Sequence, residues 1–204
     1  TEDWPVDSEQ NQARHKEVLQ RVHYPTLLAR EHGFNSALLS TRSCTPCGVF
    51  INTPLGTAKI KGDEKGISLI SINEEGEISK KIPLELKEAV NQLREYFEGK
   101  RKEFNFELNP KGTDFQQKVW RELYEVPYAK TMSYAELAKK LGDPKVIRAA
   151  ANANGKNKIA IIVPCHRIIG SDSNLTGYAW GLAKKKWLLQ HEFRIGHGVQ
   201  TLFA

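Results

Sequence analysis

Short apolar stretches separated by turn residues fill the chain after residue 48. They read GVFINTPLG, TAKIKGDEKG and ISLISINEEG, and each ends at a glycine. Such stretches predict short strands joined by tight turns, here an antiparallel sheet. The residues before them, 1–47, are polar and irregular apart from a short helix predicted at 12–22, and we interpret them as an N-terminal extension with no assigned role.

A helical spacing follows the third stretch. The apolar residues that recur three and four positions apart are Leu86, Val90, Leu93 and Phe97. This spacing predicts a helix that Pro83 opens and Gly99 ends, with its apolar stripe against one face of the sheet. Further on, Phe104, Phe106 and Leu108 alternate with polar residues, as one more strand or as an extended linker.

The segment Asn109-Pro110-Lys111-Gly112 predicts a domain boundary, because proline and glycine interrupt both helices and strands. We therefore expect an N-terminal α/β domain at 48–110 and a mostly helical C-terminal domain at 111–204. A chain of 204 residues is long enough for one or two such cores.

Capped helices are predicted at the start of the second domain. The first has apolar residues four positions apart between 115 and 123, with Thr113 or Asp114 as its cap and Pro127 beyond its end. Ser133 and Glu136 have the spacing of a capping box, which predicts that a second, shorter helix begins there.

A turn at Gly142-Asp143-Pro144 joins this second helix to a third that ends at Gly155, so the pair predicts a helix-turn-helix. The third helix has alanine at 149–151 and 153, with Arg148 among them. Small residues let a helix approach a narrow groove, as in DNA binding. Alanine-rich helices also pack tightly inside proteins, with an arginine extended to solvent, and the sequence leaves both interpretations open.

The apolar run Ile159–Val163 predicts a strand buried on both faces, which Pro164 ends by removing a backbone donor. Cys165 is then delivered to a surface. If a helical turn begins there, its free N–H groups favour a thiolate, and Arg167 adds positive potential. The cysteine is either a nucleophile or a small buried apolar residue.

Composition indicates the chemical class of the binding partner and the cellular compartment. The net charge of +6 and the isoelectric point near 9.2 favour an acidic partner, nucleic acid first. Three cysteines argue against a disulfide scaffold and fit a reducing compartment. No apolar run reaches the ~18 residues of a membrane span and no secretory signal opens the chain. We expect a soluble intracellular protein, nuclear in a eukaryote and cytoplasmic in a prokaryote.

The sequence Pro-Cys-His-Arg at 164–167, followed by Ile168 and Ile169, resembles the active-site signature of the O6-alkylguanine-DNA alkyltransferase family. The resemblance covers about 49–192 and is strongest over 115–192. It implies a DNA repair protein that works as a monomer on the minor groove of duplex DNA. Such a protein flips out an O6-alkylguanine and transfers the alkyl group irreversibly to Cys165, in a single turnover and without a cofactor.

The resemblance also implies the fold and the residues of the site. The expected fold class is α/β (α+β), with an antiparallel sheet and a covering helix, then a helical domain with a helix-turn-helix and a short active-site strand. The implied catalytic residues are Cys165, His166, Glu192, Tyr134 and Asn157. The implied DNA-binding residues are Tyr134, Ala135, Arg148 and Ser171. The implied substrate pocket is formed by Ile168, Tyr178, Ala179 and Trp180.

The resemblance implies a specific role for each of these residues. Glu192 orients His166, which takes the proton of the Cys165 thiol through a bridging water, because neighbouring side chains point apart. Asn157 braces the local backbone, and Tyr134 crowds the phosphate of the flipped nucleotide and hydrogen-bonds its base. Arg148 enters the base stack in place of the extruded nucleotide. Backbone groups of Cys165, Ile168 and Ala179 recognise the base.

Several residues stand apart from this pattern. Trp180 replaces a glycine of other members, so we expect it to crowd alkyl groups larger than methyl. Cys44 and Cys47 form a CxxC, but Asp63 and Ser68 stand where zinc-binding members have ligands. We therefore predict no metal site. His191 is predicted to be a helix-end residue outside the proton relay of Glu192, His166 and Cys165.

Two other functions use the same residues. A Cys-His-Glu hydrolase would need an oxyanion hole and turnover, and no known cysteine-hydrolase signature is present. A non-catalytic sensor of alkylation damage would keep the fold and lack the cysteine, which is present here as Cys165.

Overall fold

A computed structural model describes residues 47–72, 75–172 and 174–198. Three antiparallel strands come first, β1 (Cys47–Thr53), β2 (Gly56–Asp63) and β3 (Gly66–Ile72), in the spatial order β1-β2-β3. The predicted antiparallel sheet is confirmed. The helix predicted at 12–22 lies outside the described residues.

Helix α1 (Leu84–Phe97) covers the sheet, as the spacing predicts, and Gly99 follows it with φ of 74°. Each large apolar side chain that this face buries contributes roughly 1.5–3 kcal/mol. The buried residues of the helix are Leu86, Ala89, Val90, Gln92, Leu93 and Tyr96. The chain then returns beside β3, where Ile67 donates to the carbonyl of Glu107 and accepts from Asn109. Leu108 therefore lies in an extended linker with one bridge to the sheet.

The second half is helical around two very short strands. Its helices are α2 (Asp114–Tyr124), α3 (Tyr134–Lys140), α4 (Ile147–Gly155) and α5 (Leu182–His197). Its strands β4 (Met132–Ser133) and β5 (Ile168–Ile169) pair in parallel. We call residues 47–110 the sheet half and residues 111–198 the helical half. The predicted fold class is confirmed.

The predicted caps are also present. Thr113 caps α2 and Ser133 caps α3, each in a capping box. The third predicted helix begins as a 3-10 turn, Pro144–Val146, because the Asp143 side chain accepts from the N–H of Lys145 and tightens the first turn.

The strand predicted at Ile159–Val163 is wrong. The run is buried throughout, yet only Ile159 bridges Ile70 of β3, and the residues after it fold as a turn. In that turn Val163 donates to the carbonyl of Ile159, and Ile161 has φ of 72°, a strained value for a β-branched residue. Apolar composition reports burial and does not distinguish a strand from a buried turn.

Candidate active site

Cys165 opens a three-residue 3-10 turn, Cys165–Arg167, and is almost fully buried. Its sulfur accepts a hydrogen bond from Asn157 Nδ2 at 3.1 Å. The same nitrogen donates to the carbonyl of Val163 at 2.8 Å, while Asn157 Oδ1 accepts from the N–H of Ile159 at 2.9 Å. Asn157 therefore holds the buried turn and the sulfur together, and the short strand β5 follows the cysteine instead of delivering it.

The resting thiol is protonated. Burial raises the pKa of Cys165 to about 11, although the Asn157 amide and the Lys185 ammonium lower it in part. The expectation that Arg167 would favour the thiolate is wrong, because that guanidinium is turned to Glu192 and pairs with it. A helical turn of three residues also has too little dipole to offset burial. Attack by the sulfur thus requires a base.

Glu192 lies fully buried on α5 and is surrounded by donors. Its Oε1 accepts from His166 Nε2 and Tyr96 Oη, each at 2.8 Å. Its Oε2 accepts from Arg167 Nε at 2.9 Å and from the N–H of Ala129 at 3.2 Å. Burial alone would raise the pKa of Glu192, but His166 and Arg167 hold it well below its usual range. Glu192 is therefore a carboxylate, which can only accept.

This arrangement determines the tautomer of His166. Because Glu192 only accepts, His166 Nε2 must carry the proton and Nδ1 must carry the lone pair. Burial lowers the pKa of His166, which keeps the ring neutral. Nδ1 is itself buried and has no hydrogen-bond partner within the described residues. A neutral imidazole with a free Nδ1 beside the cysteine can take up a proton.

Lys185 is a site residue that sequence reasoning missed. It is fully buried, and its Nζ donates to the carbonyls of Ile168 at 2.5 Å and Thr176 at 2.8 Å. Burial lowers its pKa, while the neighbouring Cys165 opposes that change. Of three consecutive lysines, only this one lies three and seven residues before the buried Leu188 and Glu192. That helical spacing was the available signal.

Tyr134 reaches the site from the first position of α3. Its hydroxyl accepts a hydrogen bond from Asn154 Nδ2 at 3.2 Å, a contact between the two helices of the helix-turn-helix that the sequence did not predict. Burial raises the pKa of Tyr134, and the neighbouring Cys165 raises it further. The phenol is therefore protonated and can act as a donor.

The face of α4 that carries Arg148 is exposed, and Ala149 is exposed beside it. The opposite face is packed, with Ala150 and Ala153 buried and Trp120 Nε1 donating to the Ala153 carbonyl at 2.9 Å. The packed face confirms the interpretation of alanines buried inside the protein, and the groove interpretation of the exposed face stays a prediction. Of the other predicted DNA-binding residues, Ala135 is half-buried and Ser171 is exposed.

The predicted pocket wall contacts the sheet half of the protein. Trp180 Nε1 donates to Ser71 Oγ of β3 at 3.3 Å, and its ring lies edge-on to Tyr178 with centroids 5.2 Å apart. The Tyr178 hydroxyl lies near enough to Cys165 to lower the thiol pKa, although it makes no hydrogen bond of ordinary geometry to any described residue. Ile168 is buried and Ala179 is exposed. The effect of Trp180 on alkyl size stays a prediction.

His191 is not at the end of a helix, which corrects the prediction for it. It lies inside α5, its Nε2 donates to the carbonyl of Tyr96 at 2.9 Å, and its ring stacks on Trp187 with centroids 4.8 Å apart. Its contacts are to Tyr96 and Trp187, so it supports the site through Tyr96.

The described part of the chain has neither a cluster of metal ligands nor a membrane-spanning helix. No group of three or more His, Cys, Asp or Glu side chains there is placed to hold a metal ion. Cys44 lies outside those residues. Nor does any helix among them have the length and apolar character needed to cross a membrane.

Both halves of the protein match domain models of one known family. The family model for the 6-O-methylguanine DNA methyltransferase ribonuclease-like domain matches residues 49–110, and that for the DNA-binding domain matches 114–194. A methylated-DNA–protein-cysteine methyltransferase of Methanosarcina barkeri is 44% identical over 149 residues, 70% of this chain and 94% of that protein. The constitutive enzyme of that name from Bacillus subtilis is 42% identical, over 71% of this chain and 93% of its own.

A solved structure has the same fold. The crystal structure of Mycobacterium tuberculosis OGT in complex with DNA matches with a TM-score of 0.67 and 41% sequence identity. The match covers 72% of this chain and 93% of that one.

Proposed function

The chain belongs to the 6-O-methylguanine DNA methyltransferase family, and we propose that it repairs DNA by transferring the alkyl group of an O6-alkylguanine to Cys165. One observation carries the assignment of the residue. The sulfur of Cys165 is held by Asn157, next to a neutral His166 whose other nitrogen is bound by Glu192. This is the arrangement that a thiol needs to lose its proton when a substrate arrives.

DNA binding follows from the family, and we propose the minor groove as the contact. The exposed face of α4 presents Arg148 next to Ala149, so the backbone can approach a narrow groove closely. Arg148 then fills the place of the extruded nucleotide, and the net charge of +6 favours the polyanion. Ala135 and Ser171 contact the backbone nearby, and Tyr134 crowds the flipped phosphate.

The chemistry balances with the groups present. His166 Nδ1 accepts the thiol proton through a water molecule, and the sulfur attacks the alkyl carbon. A carbon–sulfur bond forms as the carbon–oxygen bond breaks, and the leaving guanine takes a proton from the Tyr134 hydroxyl. The proton held by His166 then returns to Tyr134 through solvent, so one proton passes in net from the thiol to guanine. The base sits against Ile168, Tyr178, Ala179 and Trp180. The product is an uncharged thioether that no group here can expel, so one chain repairs one base.

Attack of a thiolate on an alkyl carbon needs neither a metal nor a redox group, so we propose that the protein works without a cofactor. We propose a monomer whose sheet and helical halves are two domains divided at residue 110. Because its substrate is DNA, we propose that it acts in the nucleus of a eukaryote or in the cytoplasm of a prokaryote.

The test is mass spectrometry after incubation with duplex DNA that contains O6-methylguanine. We expect the peptide with Cys165 to gain about 14 Da, the mass of one CH2 group, in a reaction that stops at one equivalent. Cys165→Ala should bind the same DNA and gain nothing. Release of more than one equivalent would instead indicate a hydrolase, and DNA binding by the wild type with no adduct would indicate a damage sensor.

A further inference from the structure

Tyr96 joins the sheet half to the candidate active site. It lies near the end of α1, is fully buried, and donates its hydroxyl to Glu192 Oε1 at 2.8 Å. Its carbonyl accepts from His191 Nε2 at 2.9 Å. His191 and Glu192 are consecutive residues of α5, so two neighbours on one helix bind the two polar ends of one tyrosine.

The hydroxyl of Tyr96 is not needed for packing alone. A phenylalanine would fill almost the same volume, and a buried hydroxyl is unfavourable unless it is bonded. Its partner is the oxygen that also accepts from His166 Nε2. Tyr124 provides a contrast, because it also joins the two halves but its hydroxyl lies 3.4 Å from the backbone carbonyl of Phe104, away from the relay.

We propose that Tyr96 is a positioning residue for alkyl transfer, which holds the Glu192 carboxylate and tunes its pull on His166. This inference rests on the proposed function. Tyr96 shares Oε1 with His166 Nε2 and Arg167 Nη2, so its hydroxyl helps to fix the orientation of the carboxylate and takes up part of its charge. Both effects determine how His166 is oriented and how readily its Nδ1 accepts a proton. The sheet half is therefore part of the transfer machinery.

The sign of the effect follows from the groups around the carboxylate. Among the described residues, those around His166 and Glu192 are Tyr96 from α1, Tyr128 from the loop before β4, Cys165 and Arg167 from the 3-10 turn, Tyr178 from the loop before α5, and Lys185 from α5. Without the Tyr96 hydroxyl, more of the Glu192 charge acts on His166 and stabilises the imidazolium. The pKa of His166 then rises. Since only neutral His166 can accept a proton, activity at low pH is lost sooner.

The experiment is single-turnover transfer from O6-methylguanine duplex DNA, followed across pH for wild type, Tyr96→Phe and Tyr124→Phe. We expect Tyr96→Phe to lower the rate constant about tenfold at neutral pH, because the less firmly held carboxylate no longer orients His166. The low-pH limb of the pH–rate profile should move to higher pH, with DNA affinity unchanged. Tyr124→Phe removes a hydroxyl from the same boundary and should keep the wild-type rate and limb. A Tyr96→Phe protein with the wild-type profile, or an equal change in both variants, would overturn the proposal.

A double-mutant cycle separates positioning from general destabilisation. If Tyr96 acts through Glu192, Tyr96→Phe should cost little further rate in a Glu192→Gln protein, whereas fully additive losses contradict the inference. Should Tyr96→Phe fail to fold, 3-fluorotyrosine at position 96 keeps the ring and strengthens the donor. It should move the low-pH limb of the pH–rate profile to lower pH, and an unmoved limb would contradict the proposal. A wild type that transfers nothing contradicts the proposed function itself.

Discussion

The amide nitrogen of Asn157 lies 3.1 Å from the sulfur of Cys165, so a side chain eight residues earlier holds the thiol in place. The bond favours the thiolate over the thiol, because an N–H donor stabilises the charged form. Asn157 also bonds Ile159 and Val163, which ties the sulfur to the strained turn around Ile161.

Asn157→Ala should therefore impair both folding and transfer. We expect the free energy of unfolding to fall by about 1–3 kcal/mol, because buried backbone groups lose their partners. The transfer rate should fall at least tenfold. Urea unfolding and single-turnover assays measure the two effects, with Asn91→Ala on the exposed face of α1 as the control. An unchanged rate in a folded Asn157→Ala protein would show that the bond to sulfur has no role in transfer.

Lys185→Met should make the thiol less acidic. The buried ammonium lowers the pKa of Cys165, so its removal raises that pKa and reduces the thiolate fraction at any given pH. The rate at which iodoacetamide modifies Cys165, measured from neutral to alkaline pH, reports this fraction. We expect the curve for Lys185→Met to move to higher pH. Lys186→Met changes the exposed neighbour and should leave the curve in place; identical curves for all three proteins would refute the assignment.

Glu192 should make stability depend on pH at the acid end. Its folded-state pKa lies below the ordinary Glu value of about 4.3, so its contribution is complete above that pH and is lost as pH falls toward the folded pKa. Glu192→Gln should be about 3–5 kcal/mol less stable at pH 7, because Arg167 is left buried without its carboxylate. The difference should shrink toward pH 3.

Urea unfolding of wild type and Glu192→Gln at both pH values tests this dependence. Glu77→Gln replaces an exposed carboxyl and should behave as wild type throughout. A gap between wild type and Glu192→Gln that stays constant with pH would mean that the carboxylate charge contributes no stability.

Arg148→Ala should weaken repair of duplex DNA far more than reaction with the free base O6-methylguanine. Only the duplex requires a nucleotide to be extruded, and unstacking costs a few kcal/mol that Arg148 offsets. The ratio of the two second-order rate constants measures this, with Lys145→Ala as a nearby exposed control. If both substrates lose rate equally, Arg148 has a structural role.

The sequence alone determined what depends on neighbours along the chain. Capping boxes at Thr113 and Ser133, the periodic stripe from Leu86 to Leu93 and the turn at Gly142 act within one or two turns of a helix, so they could be read directly. The four residues at 164–167 likewise identified the family, because a signature is a local pattern.

Only the tertiary structure decided what depends on distant partners. Ile159–Val163 is a turn in which Val163 donates to the carbonyl of Ile159 and the Asn157 side chain binds both residues, and such backbone bonds leave no mark on composition. Tyr96 meets Glu192 across 96 residues of sequence, and Trp180 meets Ser71 across 109. Such contacts follow from how the two halves pack on each other, and no local propensity encodes that packing.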